Sequence, residues 1–276
     1  MNGLTIFNHS LRQVLGNFGM AVRISWWLVL IIAVLYATAK TMLPRWFLEA
    51  IKGNEVMAAD ISDADSGAVL LSVAIAIAAL VFVCWSISLI AIVWHRFILL
   101  EEYPEGTIPY RSEFQIGQYF WVGVGISLLA VMVVGLVSGF IAMIVGPFFA
   151  GSMGQPAGFG SIGGGLAVGI LVGILIAVLY LRLALVLPAL ALGERLKMGQ
   201  AWEISARYTG AIIVLAMMLA FINVVVPMGL SLASWFFLPG WLYVTLTLAY
   251  DWFYFMLNIS ILSTLYGHIV QKREVY

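Results

Sequence analysis

Between residues 210 and 267 the carboxyl and carboxamide side chains are Asn223, Asp251 and Asn258, each set inside a long apolar run. Asp251 falls ten residues after Trp241, which puts its carboxyl near the middle of a membrane-crossing helix. Holding a carboxylate there costs several kcal/mol unless it is neutralised or paired. Three readings follow. Asp251 can take up a proton or an ion during transport, it can stay protonated against Asn223, which lies at a similar depth on the neighbouring antiparallel run, or it can meet a partner or be wetted by an outward shift of its helix. The second, purely structural role is the favoured expectation.

Other chemistry-bearing residues point to structure. Arg182 follows Gly165 by 17 residues, roughly 25 Å along a helix at 1.5 Å per residue, so it is expected at the headgroups with its guanidinium snorkelling outward. His9, His95 and His268 fall toward the same ends of their helices, but nothing in their spacing makes them face one another as haem or zinc ligands would. The Asp60-Ile61-Ser62-Asp63-Ala64-Asp65 segment lacks the glycine and terminal glutamate of a calcium loop. Cys84, the single cysteine, sits in an apolar run and reads as a packing residue. No G-x-S-x-G, H-E-x-x-H or G-x-x-x-x-G-K-[ST] pattern occurs. The expectation is a chain without catalytic site, cofactor or metal.

The elements that must position these residues are membrane helices. With 63% hydrophobic and 9% charged residues and a mean hydropathy of +1.07, the chain cannot present the polar surface of a soluble domain. Its apolar runs reach the roughly 20 residues a helix needs to cross the hydrocarbon core. The fold class predicted is all-α and polytopic, a single integral membrane domain with spans at about 24–41, 69–94, 120–146, 165–187, 210–230 and 241–267. A polar, net acidic loop at 42–66 is placed outside the cell membrane, with a short amphipathic helix near Trp46. The thirteen basic and thirteen acidic residues cancel, which argues against a nucleic-acid partner. Ten of the Lys/Arg residues, Arg96 and Arg182 among them, fall on the side of both termini, and Lys40, Arg45 and Lys52 on the other. The positive-inside rule then sets both termini in the cytoplasm of a bacterial inner-membrane protein.

Residues 4–22 place Leu4, Phe7, Leu11, Leu15, Phe18 and Val22 on one helical face, the pattern of an amphipathic helix anchored at the membrane surface. No cleavable leader is expected in this stretch. Comparable polar-apolar segments begin at residues 111 and 194, so the chain reads as three copies of a surface helix plus a transmembrane hairpin. Trp26, Trp27 and Trp241 suit the interface, and Arg96 and Arg182 occupy matching positions as interfacial anchors. Gly165, Gly169 and Gly173 repeat every four residues, and Gly135 and Gly139 stand four apart. These stripes are expected to pack together. Pro188 is expected to kink the fourth span toward the surface.

The segment Arg182-Leu-Ala-Leu-Val-Leu-Pro-Ala-Leu-Ala-Leu-Gly-Glu, continued by Ala201-Trp202, and the segment Trp94-His-Arg-Phe-Ile-Leu-Leu-Glu-Glu resemble stretches of bacterial six-span inner-membrane proteins. That group is similar to the membrane domain associated with glycerophosphoryl diester phosphodiesterases. The resemblance implies six spans in three hairpins. It does not bring the phosphodiesterase activity, whose catalytic domain the sequence lacks. The functional expectation is a non-catalytic accessory subunit, scaffold or assembly factor, whose partners are the lipid bilayer and another membrane protein. The rival expectation is a small-molecule or lipid transporter coupled through Asp251.

Overall fold

The computed structural model describes residues 2–42, 66–104, 106, 115–149 and 159–274, all of whose regular elements are helical. In chain order they are α1 (Gly3–Gly16), α2 (Phe18–Met42), α3 (Ser66–Leu100), α4 (Ile116–Phe149), α5 (Phe159–Leu183), α6 (Val186–Ala191), α7 (Met198–Ser205), a 3-10 turn at Ala206–Tyr208, α8 (Thr209–Phe236) and α9 (Gly240–Ile269). Among the described residues four stretches are long and apolar enough to cross a membrane: Val69–Leu100, Ile116–Phe140, Gly169–Ala191 and Met198–Phe236. A fifth is added if α1 and α2, bent by 74° at Asn17, count as one. The 30 residues of α9 reach about 45 Å. Asp251, Asn258 and the tyrosines at 243, 250, 254 and 266 make it less apolar than the other long helices. The acidic loop, its short helix, the Asp60–Asp65 segment and the start of the segment at 111 lie outside the described residues.

The breaks have local causes. Pro188 would set its ring against the carbonyl four residues back, that of Ala184. There α5 ends, and the Ala184 carbonyl accepts instead from the Leu187 N–H at 2.9 Å. Gly193, at φ +78°, closes α6 with a paired cap in which the Gly193 N–H reaches Leu190 O at 3.0 Å and the Glu194 N–H reaches Ala189 O at 2.8 Å. Pro227 stands inside α8 and removes the α-helical donor to the Asn223 carbonyl.

Packing is concentrated at one end of the bundle. The core is built from the start of α2 (Ile24, Trp27), the end of α3 (Leu89–Phe97), residues 181–191, the first half of α8 (Ile212–Ala220) and the second half of α9 (Met256–Ile269). α5 runs along α8 and α4, α3 contacts α9, α2 and α4, and α6 fits against α3 and α4. The opposite halves carry exposed side chains such as Leu70, Leu136, Phe221 and Phe237. Only 22–33% of the most apolar window of each of the four stretches is buried within the protein, so most of their surface faces lipid or another protein.

Two features of the packing differ from what periodicity suggests. α1 rests on protein. It lies against α9 and α8, burying Gly3, Ile6, Ser10 and Val14 while Leu4, Leu15 and Phe18 of its predicted apolar face are exposed. The polar-bearing stripe turns inward because its hydroxyl and amide groups find partners on α9, whereas lipid accepts the apolar stripe. Among the described residues the glycine stripes do not meet one another. Nothing described lies within 4 Å of a Cβ built at Gly135, Gly139 or Gly169, and a Cβ on Gly173 would meet Ala220 of α8 at 3.8 Å. The side-chain surroundings of Gly165 lie outside what is described. The close glycine approach is at Gly3, where a Cβ would lie 2.5 Å from the Ala211 carbonyl oxygen.

Candidate functional site

Several buried polar groups at the closed end are hydrogen-bonded to one another across helices, although Trp94 Nε1 and Gln271 Oε1 have no partner among the described residues. Ser263 Oγ donates to Ile259 O at 2.9 Å, so it accepts from His95 Nδ1 at 2.8 Å, and His95 Nε2 is left to accept from the Tyr119 hydroxyl at 3.1 Å. These roles define one neutral tautomer of a histidine that is 0% exposed. His95 thus joins α3, α4 and α9 as a structural element. On the α1 side, Gln13 Oε1 accepts from Ser260 at 2.7 Å and Thr264 at 3.1 Å, and Ser10 donates to Thr264 at 3.0 Å. No signal in the linear sequence marks these pairs, since Ser, Thr and Gln at such spacing are common on any helix.

The arginines are tied to protein and do not reach for headgroups. Arg96 grips Glu102 with Nε and Nη2, both at 2.8 Å, and donates from Nη1 to Ala191 O at the end of α6. Arg182 is 8% exposed. Its Nε donates to Ser205 Oγ at 3.1 Å, its Nη2 donates to Trp202 O at 2.8 Å, and its guanidinium carbon sits 3.6 Å from the Trp202 ring centroid. α7 folds back over the end of α5 and supplies all three contacts, so snorkelling is unnecessary. Tyr266 donates to Glu194 beyond the α6 cap. The tryptophans divide: Trp26 and Trp241 are exposed as an interfacial role requires, whereas Trp27 is buried and donates to Ile24 O at 2.7 Å.

Asp251 and Asn223 are not brought together. Asp251 is exposed on the outer face of α9 and, among the described residues, makes no hydrogen bond or ion pair. An acid on the outside of the helix cannot meet a residue set between α5 and α8. Asn223 and Asn258 instead line a cavity of about 260 Å³ between α5, α8 and α9, with Gly173, Ala220, Tyr180 and Tyr254. Gly173 is fourteen residues from Phe159, Asn223 fourteen from Thr209 and thirteen from Phe236, and Tyr254 fourteen from Gly240 and fifteen from Ile269, while Tyr180 lies two residues before Arg182. The cavity therefore runs from the middle of α8 and α9 toward the packed end at Tyr180. Among the described residues its lining contains no Asp, Glu, Lys, Arg or His. Tyr254 donates to Leu219 O at 3.3 Å and Asn258 Nδ2 to Tyr254 O at 2.7 Å. The Tyr180 hydroxyl and the Asn223 amide make no hydrogen bond among the described residues. Sequence reasoning overlooked the two tyrosines, because aromatic residues inside apolar runs read as bulk.

A second, open depression at the closed end is lined by Glu194, Arg195, Gln200, Glu203 and Lys272 over Ile269. Its charged side chains are solvent-exposed. Among the described residues no three His, Cys, Asp or Glu side chains come together as metal ligands would. No protein-family model, curated protein or solved structure matches the chain.

Proposed function

We propose that this protein is a non-catalytic scaffold or accessory subunit of a larger complex in the bacterial inner membrane. In this reading it crosses the bilayer six times as three hairpins, through α2, α3, α4, α5–α6, α8 and α9, with both termini in the cytoplasm. The packed end, which carries Arg96, Arg182, Arg195, Lys272 and Arg273, supports that orientation.

The observation that carries the functional reading is the outer face of α9. Trp241, Val244, Leu248 and Asp251 are all exposed and recur at three-, four- and three-residue spacing, the seam of a helix that packs against another helix. The seam ends in an acid at a depth of roughly 16 Å from Gly240. A lipid-facing carboxylate at such depth costs about 3 kcal/mol on insertion scales. A partner helix with a basic or hydrogen-bond-donating side chain at the same level removes that cost. Purification of the full chain from native membranes in mild detergent tests the reading. The expected result is a membrane protein co-eluting in stoichiometric amount and lost from the Asp251→Leu variant. Migration as a lone monomer would sink it.

The cavity supports a second reading, in which the protein handles a small hydrophobic molecule or lipid. Asp251 lies outside the cavity lining, so coupling through that residue is the weaker part of this reading. Equal proton-coupled uptake in vesicles carrying Asp251→Asn would remove the coupling while leaving the cavity in place.

A further inference from the structure

We propose that the cavity between α5, α8 and α9 is a binding site for an uncharged, carbonyl-bearing ring carried on a hydrocarbon tail, the chemistry of a lipid-soluble quinone. The inference goes beyond the scaffold reading and does not depend on it.

Depth narrows the ligand first. Asn223 and Tyr254 set much of the cavity at the middle of α8 and α9, whereas a phospholipid headgroup is held at the interface by its charge. A molecule that reaches this site laterally must have a head that tolerates hydrocarbon. Charge narrows it again, because the lining has no ionised group to pair with a charged head, and an unpaired charge is costly at this depth.

The polar groups then define what the head must offer. Tyr180 has a hydroxyl and Asn223 an amide that are unused among the described residues, and both can donate. Water is scarce at this depth, so such donors stay unsatisfied unless a ligand or another protein group accepts from them. Carbonyl oxygens on a neutral ring fit that requirement. Asn258 commits Nδ2 to Tyr254 O, which leaves its Oδ1 to accept from a ring hydroxyl. Pro227 deprives the Asn223 carbonyl of its α-helical donor, adding an acceptor at the same level.

Shape agrees with a flat ring. The space is about 260 Å³, at the small end of ligand pockets and suited to one ring with the start of its tail. Tyr180 and Tyr254 supply aromatic surface. Gly173 and Ala220 keep the opposing α5 and α8 surfaces low, with only 3.8 Å between Ala220 and a Cβ built at Gly173. Asn223 is exposed, so the cavity has an opening on the flank of the bundle for a tail to leave by.

The test uses the full-length protein in lipid nanodiscs, titrated with decylubiquinone and separated by gel filtration, with retained quinone extracted and measured by absorbance. Saturable binding near one quinone per chain is expected. Tyr180→Phe and Asn223→Leu should each weaken it about fivefold to tenfold, the effect of one hydrogen bond. Asp251→Asn, outside the cavity, should leave it unchanged. Thermal unfolding of each variant shows whether it is folded, and Tyr180→Phe, which removes a single oxygen, preserves the test if Asn223→Leu does not fold. Binding no greater than to empty nanodiscs, equal binding by folded variants, or displacement of the quinone by dioleoylglycerol at equal concentration would each overturn the proposal.

Discussion

The guanidinium of Arg182 lies 3.6 Å from the centroid of the Trp202 ring while its Nη2 donates to the Trp202 carbonyl at 2.8 Å. One residue of α7 therefore receives the charge through both its ring and its backbone. The consequence is mechanical. The short helix that leads into α8 is clamped onto the end of α5, and the turn at Pro188 and the cap at Gly193 supply the reversal of chain that makes the clamp possible.

Replacing Arg182 with Met is expected to destabilise the protein by about 2–3 kcal/mol, because it removes a desolvated cation–π contact and two charge-assisted hydrogen bonds. Arg182→Lys should recover less than half of that, since a point charge cannot stack and bond at once. Thermal unfolding in mild detergent measures both. A cycle with Trp202→Leu should show coupling of about 1 kcal/mol or more, and strict additivity of the two changes would mean the stacking is unimportant.

Gly3 and Gly135 make opposite predictions from the same substitution. At Gly3 the added methyl meets the Ala211 carbonyl oxygen at 2.5 Å and Val214 Cβ at 2.8 Å, so Gly3→Ala must push α1 off α8. A loss of about 1–3 kcal/mol is expected. At Gly135 and Gly139 nothing among the described residues lies within 4 Å, and alanine there should be neutral or slightly stabilising to the isolated chain through helix propensity. Ranking the variants by aggregation temperature on gel filtration would decide; the reverse order contradicts the packing described.

Ser263→Ala leaves His95 Nδ1 without its acceptor inside a dry core. The cost expected is about 1–3 kcal/mol for an unsatisfied buried donor. Tyr119→Phe removes the partner of Nε2 at similar cost. The double variant should cost less than the sum, because both act on one imidazole. Chemical or thermal unfolding of the four proteins supplies the cycle, and full additivity would argue against the shared network.

Asp251→Leu should leave the stability of the isolated chain unchanged or raise it, by up to about 3 kcal/mol in a bilayer. The same change should weaken association with a membrane partner. A large loss of stability in the purified monomer would show instead that Asp251 has a structural partner within the chain.

How much of this was legible in the chain is uneven. Helix positions followed from composition, because any apolar run of about twenty residues must satisfy its own backbone in lipid. Helices α3, α4, α8 and α9 cover residues 69–94, 120–146, 210–230 and 241–267, and the first three of these helices contribute to stretches long and apolar enough to cross a membrane. The break at Pro188 was equally local, since a proline ring conflicts with a carbonyl four residues away whatever surrounds it.

Facing directions were not legible. Lipid accepts apolar side chains as readily as a core does, so hydrophobic periodicity does not say which side of a membrane helix turns inward. α1 shows this most plainly: Leu4, Leu15 and Phe18 of its apolar stripe are exposed while Phe7 and Leu11 rest against the core, and Ser10 and Gln13 bond to α9. Asp251 and Asn223 were paired by depth, which the sequence supplies, but angle about the helix axis separates them. Arg182 was set at the right end of its span, yet only the folding back of α7 gave it Trp202 and Ser205 in place of headgroups. The chain by itself determined where helices form, because that depends on length and local chemistry. The tertiary structure decided which groups meet, because that depends on the rotation and crossing of helices far apart in sequence.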